Sequence, residues 1–152
     1  MFEIERKFLV NTELWQPQSE GLEIKQGYLS TDKERVVRVS TKGNKAFLTI
    51  KGKSQGISRV ELEYEIPVKE ARVLLQLSKN HPIEKTRFVE QHNGKTWEID
   101  IFENENEGLV LAEVELESEN EAINLPAWVT KEVSEDHRYF NAWLSENPFS
   151  QW

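Results

Sequence analysis

The sequence has no cysteine. That excludes disulfides, thiol nucleophiles and thiolate zinc sites. Histidine is scarce, with three residues at positions 81, 92 and 137. His81 precedes a proline, His92 adjoins an Asn-Gly pair and His137 lies near the C-terminus, so their spacing supports no shared metal site. No apolar run approaches the ~20 residues that a membrane helix needs. Charges interrupt the first residues, so no secretory leader pattern is expected. Positive charge is also in deficit: 19 Lys and Arg stand against 27 Asp and Glu, a net charge of −8. An acidic chain is a poor general nucleic-acid binder, because phosphate contacts need a surplus of Lys and Arg on one surface. The expectation is a cytoplasmic protein without nucleic-acid or membrane partners, acting on a small molecule as a monomer or homodimer.

What remains is enough to fold. The 152 residues are 38% hydrophobic and 10% aromatic, sufficient for one domain with a sizeable core. The 30% charged residues are spread along the chain, unlike a disordered tail. No repeat or low-complexity linker divides residues 1–152. Eight segments show period-2 alternation or β-branched and aromatic enrichment: 2–10, 22–30, 34–41, 45–52, 58–66, 83–90, 95–102 and 109–117. Gly43-Asn44 and Asn93-Gly94 mark two tight hairpins. Helical pattern occurs in "VKEARVLLQLSKN", where Ala71, Leu74, Leu75 and Leu77 share a face before Asn80 and Pro82 stop it. "ESENEAINL" reads as a short acidic helix, and "SEDHRYFNAWLSEN" as a helix capped by Ser134 or Asp136. The fold class expected is α+β, mainly β: eight antiparallel strands in up-and-down order, closing into a barrel with a few flanking helices.

The charges on these strands alternate too. Glu3, Glu5 and Lys7 oppose Phe2, Ile4 and Phe8. Arg59, Glu61 and Glu63 oppose Val60, Leu62 and Tyr64. Glu98 and Asp100, Glu113 and Glu115, and Lys85 and Arg87 repeat the pattern, as do Arg38 and Lys51 beside branched apolar residues. One such strand is ordinarily a wet face over a core. The set is different. Nine Lys or Arg fall between Lys25 and Arg59, and none between Glu98 and Glu121. Like charges at i and i+2, on strands placed side by side, repel. Acid pairs on four strands and bases on others fit charged faces turned inward, with an acidic wall and a basic wall. The apolar faces would then pack outward against helices. Clustered carboxylates without His or Cys are hard oxygen ligands suited to Mg²⁺ or Mn²⁺. Arg and Lys suit phosphate. Seven acids and six bases give that interior −1; two divalent cations would bring it to +3, able to receive a phosphate chain. A metal-chelated polyphosphate fits both walls.

The opening "EIERKFLV" resembles the ExExK signature of the CYTH superfamily, the triphosphate tunnel metalloenzymes. The resemblance continues in order through "QGYL", "VRV", "FLTIKG", "SRVELEYEIP", "IEKTRF", "WEIDIF", "GLVLAEVEL" and "EVSEDHRYFN", nearly the whole chain. It implies an eight-stranded antiparallel tunnel that binds a triphosphate and uses Mg²⁺ or Mn²⁺, with two ions beside the substrate. It implies metal ligands at Glu3, Glu5, Glu61, Glu63, Asp100, Glu113 and Glu115. Phosphate contacts would come from Arg38, Lys51, Arg59, Lys85 and Arg87. Lys7 and Lys85 are the candidate catalytic lysines, Tyr28 a substrate contact, and Arg138 a residue closing over the tunnel. The activity implied is hydrolysis of inorganic tripolyphosphate to pyrophosphate and phosphate. Alternatives within the same resemblance are class IV adenylate cyclase, thiamine or nucleoside triphosphatase, and a non-catalytic polyphosphate-binding module. Two positions depart from the pattern: Ser40 stands where a second arginine usually follows Arg38, and Thr130 where a glycine is usual. Lys7 also raises a physical problem. Glu3 and Glu5 should raise its pKa, making it a poor base unless bound metal reverses the local field.

Overall fold

The computed structural model describes residues 1–152. Nine strands form: β1 (Phe2–Val10), β2 (Leu22–Asp32), β3 (Arg35–Lys42), β4 (Lys45–Lys51), β5 (Ser58–Ile66), β6 (Ile83–His92), β7 (Lys95–Phe102), β8 (Val110–Glu115) and β9 (Val129–Glu132). Helix α1 (Val68–Gln76) connects β5 to β6, and α2 (Asn141–Glu146) follows β9. The first eight strands match the sequence reading. The ninth, a four-residue strand, lies in what read as loop, because so short a stretch carries too little alternation to register.

All pairings are antiparallel. The order is β5-β4-β3-β2-β6-β7-β8-β1-β9, and β5 also pairs with β1, which closes a ring of eight strands. This is not the simple up-and-down order expected. Two meanders, β2 to β5 and β6 to β8, are joined by β2–β6 and by β1, which pairs with strands from each. The tight turns follow the local chemistry. Asn93 and Gly94 both adopt positive φ (51° and 78°), as a type I′ hairpin demands.

The β1–β5 seam is short, from Phe2 opposite Val60 to Ile4 opposite Ser58. Beyond it, other groups satisfy the β1 backbone. Glu5 N–H donates to Ile57 O at 3.3 Å, and Val133 N–H donates to Lys7 O at 2.8 Å. Lys7 N–H donates to Ser134 Oγ at 2.9 Å. The carrier strand of Glu3, Glu5 and Lys7 is thus pinned along its whole length.

The charged parity does face inward. The outer apolar face has two covers. Over β2–β4, α1 packs Leu74, Leu75 and Val68 around buried Val39, Ala46 and Ala71. Leu77, expected on that face, caps the helix and is exposed. Over β1, β7 and β8, loops rather than helices supply the cover: Trp15 and Trp128 pack on Phe8, Trp97, Ile99, Ala112 and Val114. Nor is the interior charged throughout. Tyr28, Val36, Ile83, Phe102 and Leu111 form an apolar cluster with Tyr139 and Leu144 of the C-terminal segment. "ESENEAINL" forms no helix, since it has no apolar stripe to bury. The expected C-terminal helix is split. Asp136 caps a 3₁₀ turn over His137–Tyr139, and α2 starts only at Asn141.

Gly27 sets how closely α1 approaches. A Cβ there would lie 2.9 Å from Ser78 Cβ and 3.0 Å from Leu75 Cδ2. Gly27→Ala should therefore destabilise the fold by about 1–3 kcal/mol, read as a drop in Tm of roughly 2–4 °C per kcal/mol. An unchanged Tm would refute the close-packing argument.

Candidate active site

The ring encloses a cavity of about 530 Å³. Glu3, Glu5 and Lys7 reach it from β1, Gln26 and Tyr28 from β2, and Arg38 and Lys42 from β3. Lys51 comes from β4, Arg59, Glu61 and Glu63 from β5, Lys85 and Arg87 from β6, Glu98 from β7, and Glu113 and Glu115 from β8. The C-terminal segment adds His137, Phe140, Asn141 and Trp143. A bulge in β2 between Tyr28 and Ser30 reverses the parity, so that Thr31 also reaches the cavity.

Most residues expected from sequence converge here. Two do not. Arg138 lies outside, its guanidinium tied to Asp136 at 2.7 Å and stacked over Trp152. Asp100 lies behind the cavity wall. Its oxygens accept from Lys85 Nζ at 2.7 Å and from Arg87 Nε and Nη2 at 2.7 and 2.9 Å. Burial would raise its pKa, but Lys85 and Arg87 hold it below the usual range. Both neighbours line the cavity, and Asp100 is paired with them from beneath. Lys33, Lys42, Lys53 and Glu146 line the cavity without having been picked out, as does Glu98, which was read on the charged parity but not among the ligands. Lys33 and Lys53 are exposed at its rim. Strand parity alone points Lys42 inward, two positions beyond Ser40.

Nine Lys or Arg and eight Glu line the cavity, a formal +1 inside a chain of −8. The sequence tally of −1 counted Asp100 and missed three lysines, Lys33, Lys42 and Lys53, and two acids, Glu98 and Glu146. Even without metal, the cavity is the cationic part of an acidic protein, which favours an anion inside it.

The carboxylates divide by environment. Burial, then the charges of Glu113 and Glu3, push Glu5 well above the ordinary range. Burial and a hydrogen bond shared with Glu3 raise Glu61 to about 7. Burial opposes ionisation of Glu3, but that shared hydrogen bond and Lys51 at 3.2 Å bring its pKa below normal. Glu113 is held far down despite burial, by Lys7 above all, at 3.4 Å. Glu61 Oε2 is buried with no hydrogen-bond partner. So the crowded carboxylates at Glu5 and Glu61 hold protons that a divalent cation would displace, while Glu3 beside them is ionised. The donors are all oxygen, which fits a hard cation. No three acidic or histidine side chains converge tightly enough to hold an ion alone. Any ion here needs further ligands from water or phosphate.

These protonation states make a stability prediction. Glu61 binds its proton more tightly folded, at about 7 against 4.5. Stability from this group is therefore full below about 4.5 and is lost as pH rises through 7. Glu5 acts in the same direction. The metal-free protein should melt at least about 2 °C higher near pH 5.5 than near pH 7.5. Divalent metal, which takes the ionised form, should raise Tm more at the higher pH. Scanning fluorimetry reads both, and an equal Tm at the two pH values would refute the assignment.

The lysines divide as well. Burial works against the charge on Lys7, but Glu113 and Glu5 outweigh it and raise its pKa. Its Nζ donates to Tyr139 O at 3.1 Å and lies 5.5 Å from the centroid of the Phe140 ring. The sequence expectation of a raised Lys7 holds, with Glu113 as the main partner. Lys85 goes the other way. Complete burial and Arg87 push it down to about 8, against the pull of Asp100.

A closed antiparallel ring whose interior is lined by crowded glutamates and by lysines and arginines is a tunnel suited to an anion. The chain belongs to the CYTH domain family, whose profile matches residues 1–142. It is 47% identical over 148 residues to a protein of Acetivibrio thermocellus named inorganic triphosphatase, covering 97% of this chain and 95% of that one. An inorganic triphosphatase of Nitrosomonas europaea is 37% identical, over 95% and 97% of the two chains. The crystal structure of the inorganic triphosphatase NE1496 superposes with a TM-score of 0.67 at 35% identity, covering 94% of this chain and 93% of that one.

Proposed function

We propose that this protein hydrolyses inorganic triphosphate to pyrophosphate and phosphate inside the tunnel, with a divalent metal as cofactor. The observation that carries the reading is one cavity in which Arg38 and Arg59, without carboxylate partners, line the same space as Glu5 and Glu61, whose carboxyls hold displaceable protons. Two near full-length relatives named inorganic triphosphatase support it.

Glu3, Glu5 and Glu61 are the residues best placed to hold metal, with Glu63, Glu113 and Glu115 at the same wall. Mg²⁺ or Mn²⁺ is the expected ion. Such an ion, when bound, neutralises phosphate oxygens and acidifies a bound water. The rest falls to this chain's own groups. Arg38 and Arg59 have no carboxylate partner; Arg59 donates only to Gly52 O, at 3.2 and 2.9 Å, and Arg38 Nε is buried without a partner. They bind phosphate oxygens and stabilise the charge that develops on them. Lys51 and Arg87 add to that field from within their ion pairs. Tyr28, opposite Arg38 in the β2–β3 register, orients the chain. Lys7, held charged, positions the anion. Lys85 is the lysine nearer neutrality at physiological pH, and we assign it the proton-accepting role toward the attacking water.

Phosphate release from tripolyphosphate with Mg²⁺ or Mn²⁺ is the direct test, with ATP and thiamine triphosphate in parallel. Release abolished by EDTA and greatest with tripolyphosphate is the expected result. No release from any triphosphate with either metal would defeat the hydrolase, and cyclic AMP formed from ATP would replace it with a cyclase.

A further inference from the structure

The inward face of β3 carries Val36, Arg38, Ser40 and Lys42 in sequence. Ser40 is fully buried and its Oγ has no hydrogen-bond partner. It adds no charge to the wall. Lys42, two residues on, lines the cavity. Among the cavity's cations, Lys7, Lys51, Lys85 and Arg87 are bound by carboxylates within 4 Å. Lys42 is not. Its Nζ lies 5.1 Å from the centroid of the Phe47 ring, and Phe47 is cross-strand to Ser40. An ammonium resting on an aromatic face, half-buried and without an anion, lacks its counter-ion.

The surroundings reinforce this. Burial lowers the pKa of Lys42, and Arg87 and Arg38 add to that effect. Glu63 and Glu98 are the acids that oppose them. Ile24 of β2 is cross-strand to Lys42 on one side and to Lys85 on the other. The two lysines therefore stand at one level of the tunnel, about 10 Å apart across two strand spacings. Arg38 lies about 13 Å along β3 from Lys42 by strand rise. Long side chains reaching inward from those positions converge on a space that a short phosphate chain fills.

We propose that Lys42 is a phosphate-binding residue of the tunnel, supplying the charge that neutral Ser40 does not and so setting affinity for the triphosphate chain. This rests on the triphosphatase reading of the same site. Because Lys42 carries no proton in the reaction, its loss weakens binding and leaves the chemical step largely intact.

The test is Lys42→Gln against Lys42→Arg. Lys42 sits at the end of β3 beside a two-residue turn, so both variants should fold, checked by Tm. Tripolyphosphate binding is measured by calorimetry with EDTA present to stop turnover, and KM and kcat separately with metal. Lys42→Gln should weaken binding and raise KM about 10-fold or more, as expected for one charged hydrogen bond, with kcat within about twofold. Lys42→Arg should stay within about threefold of wild type. Unchanged binding in Lys42→Gln, while wild type still releases phosphate, overturns the role of Lys42 and leaves the triphosphatase reading standing. A wild-type protein that neither binds nor hydrolyses tripolyphosphate overturns both.

Discussion

Lys85→Gln should lower kcat/KM for the triphosphate by about 10²–10³-fold, the contribution typical of a positioned general base. The wild-type profile of kcat/KM should rise with pH through about 8, where Lys85 loses its proton. The sign follows from the assigned role: only the neutral amine accepts a proton, and the free enzyme's essential groups govern kcat/KM. Lys85→Gln should erase that limb while leaving the fold intact, because Asp100 keeps its two bonds to Arg87. A second rise near 7 should come from Glu61 as it ionises and admits metal. Higher metal concentration should suppress that one and leave the limb at 8 in place. If kcat/KM instead falls as pH passes 8, the ammonium form of Lys85 is the working one, and its role is phosphate binding.

The second large effect is on stability. Asp100→Ala should cost roughly 3–5 kcal/mol, as removing one partner of a buried ion network does. Asp100 is almost fully buried and bonded to both Lys85 and Arg87. Without it, two buried cations face each other with only Glu98 at 3.1 Å from Arg87 and the more distant Glu113. Asp100→Asn keeps the shape and loses the charge, so it should also destabilise. Urea unfolding measures both variants. Normal stability in both, combined with weakened metal affinity, would make Asp100 a metal ligand and end the counter-ion reading.

Asp100 also shows where sequence reading stops. Parity placed its side chain on the charged face correctly. It could not tell a residue that reaches the cavity from one that stops beneath it. That depends on cross-strand register, here Asp100 opposite Arg87, and register is set by turns and by packing. Arg138 lies outside the cavity lining for a related reason. The segment expected as one helix breaks into a 3₁₀ turn and α2, and Asp136, two residues away, pairs with Arg138 there. Lys42 shows the opposite error. Its parity pointed inward, yet it was not among the expected site residues, and only the folded ring shows that it lines the cavity.

Eight of the nine strands, the two hairpin turns and the inward direction of the charged faces were determined by the sequence. Alternation and turn residues are local properties, and like charges paired on four strands have few stable arrangements except around an enclosed counter-charge. Only the tertiary structure decided how the ring closes, which wall each strand joins and which charges are already matched. Glu5 and Glu113 are both glutamates on alternating strands. One is pushed up by its neighbours and the other held down by Lys7. That difference arises from burial and from charges within a few ångströms, and residues far apart along the chain bring both about.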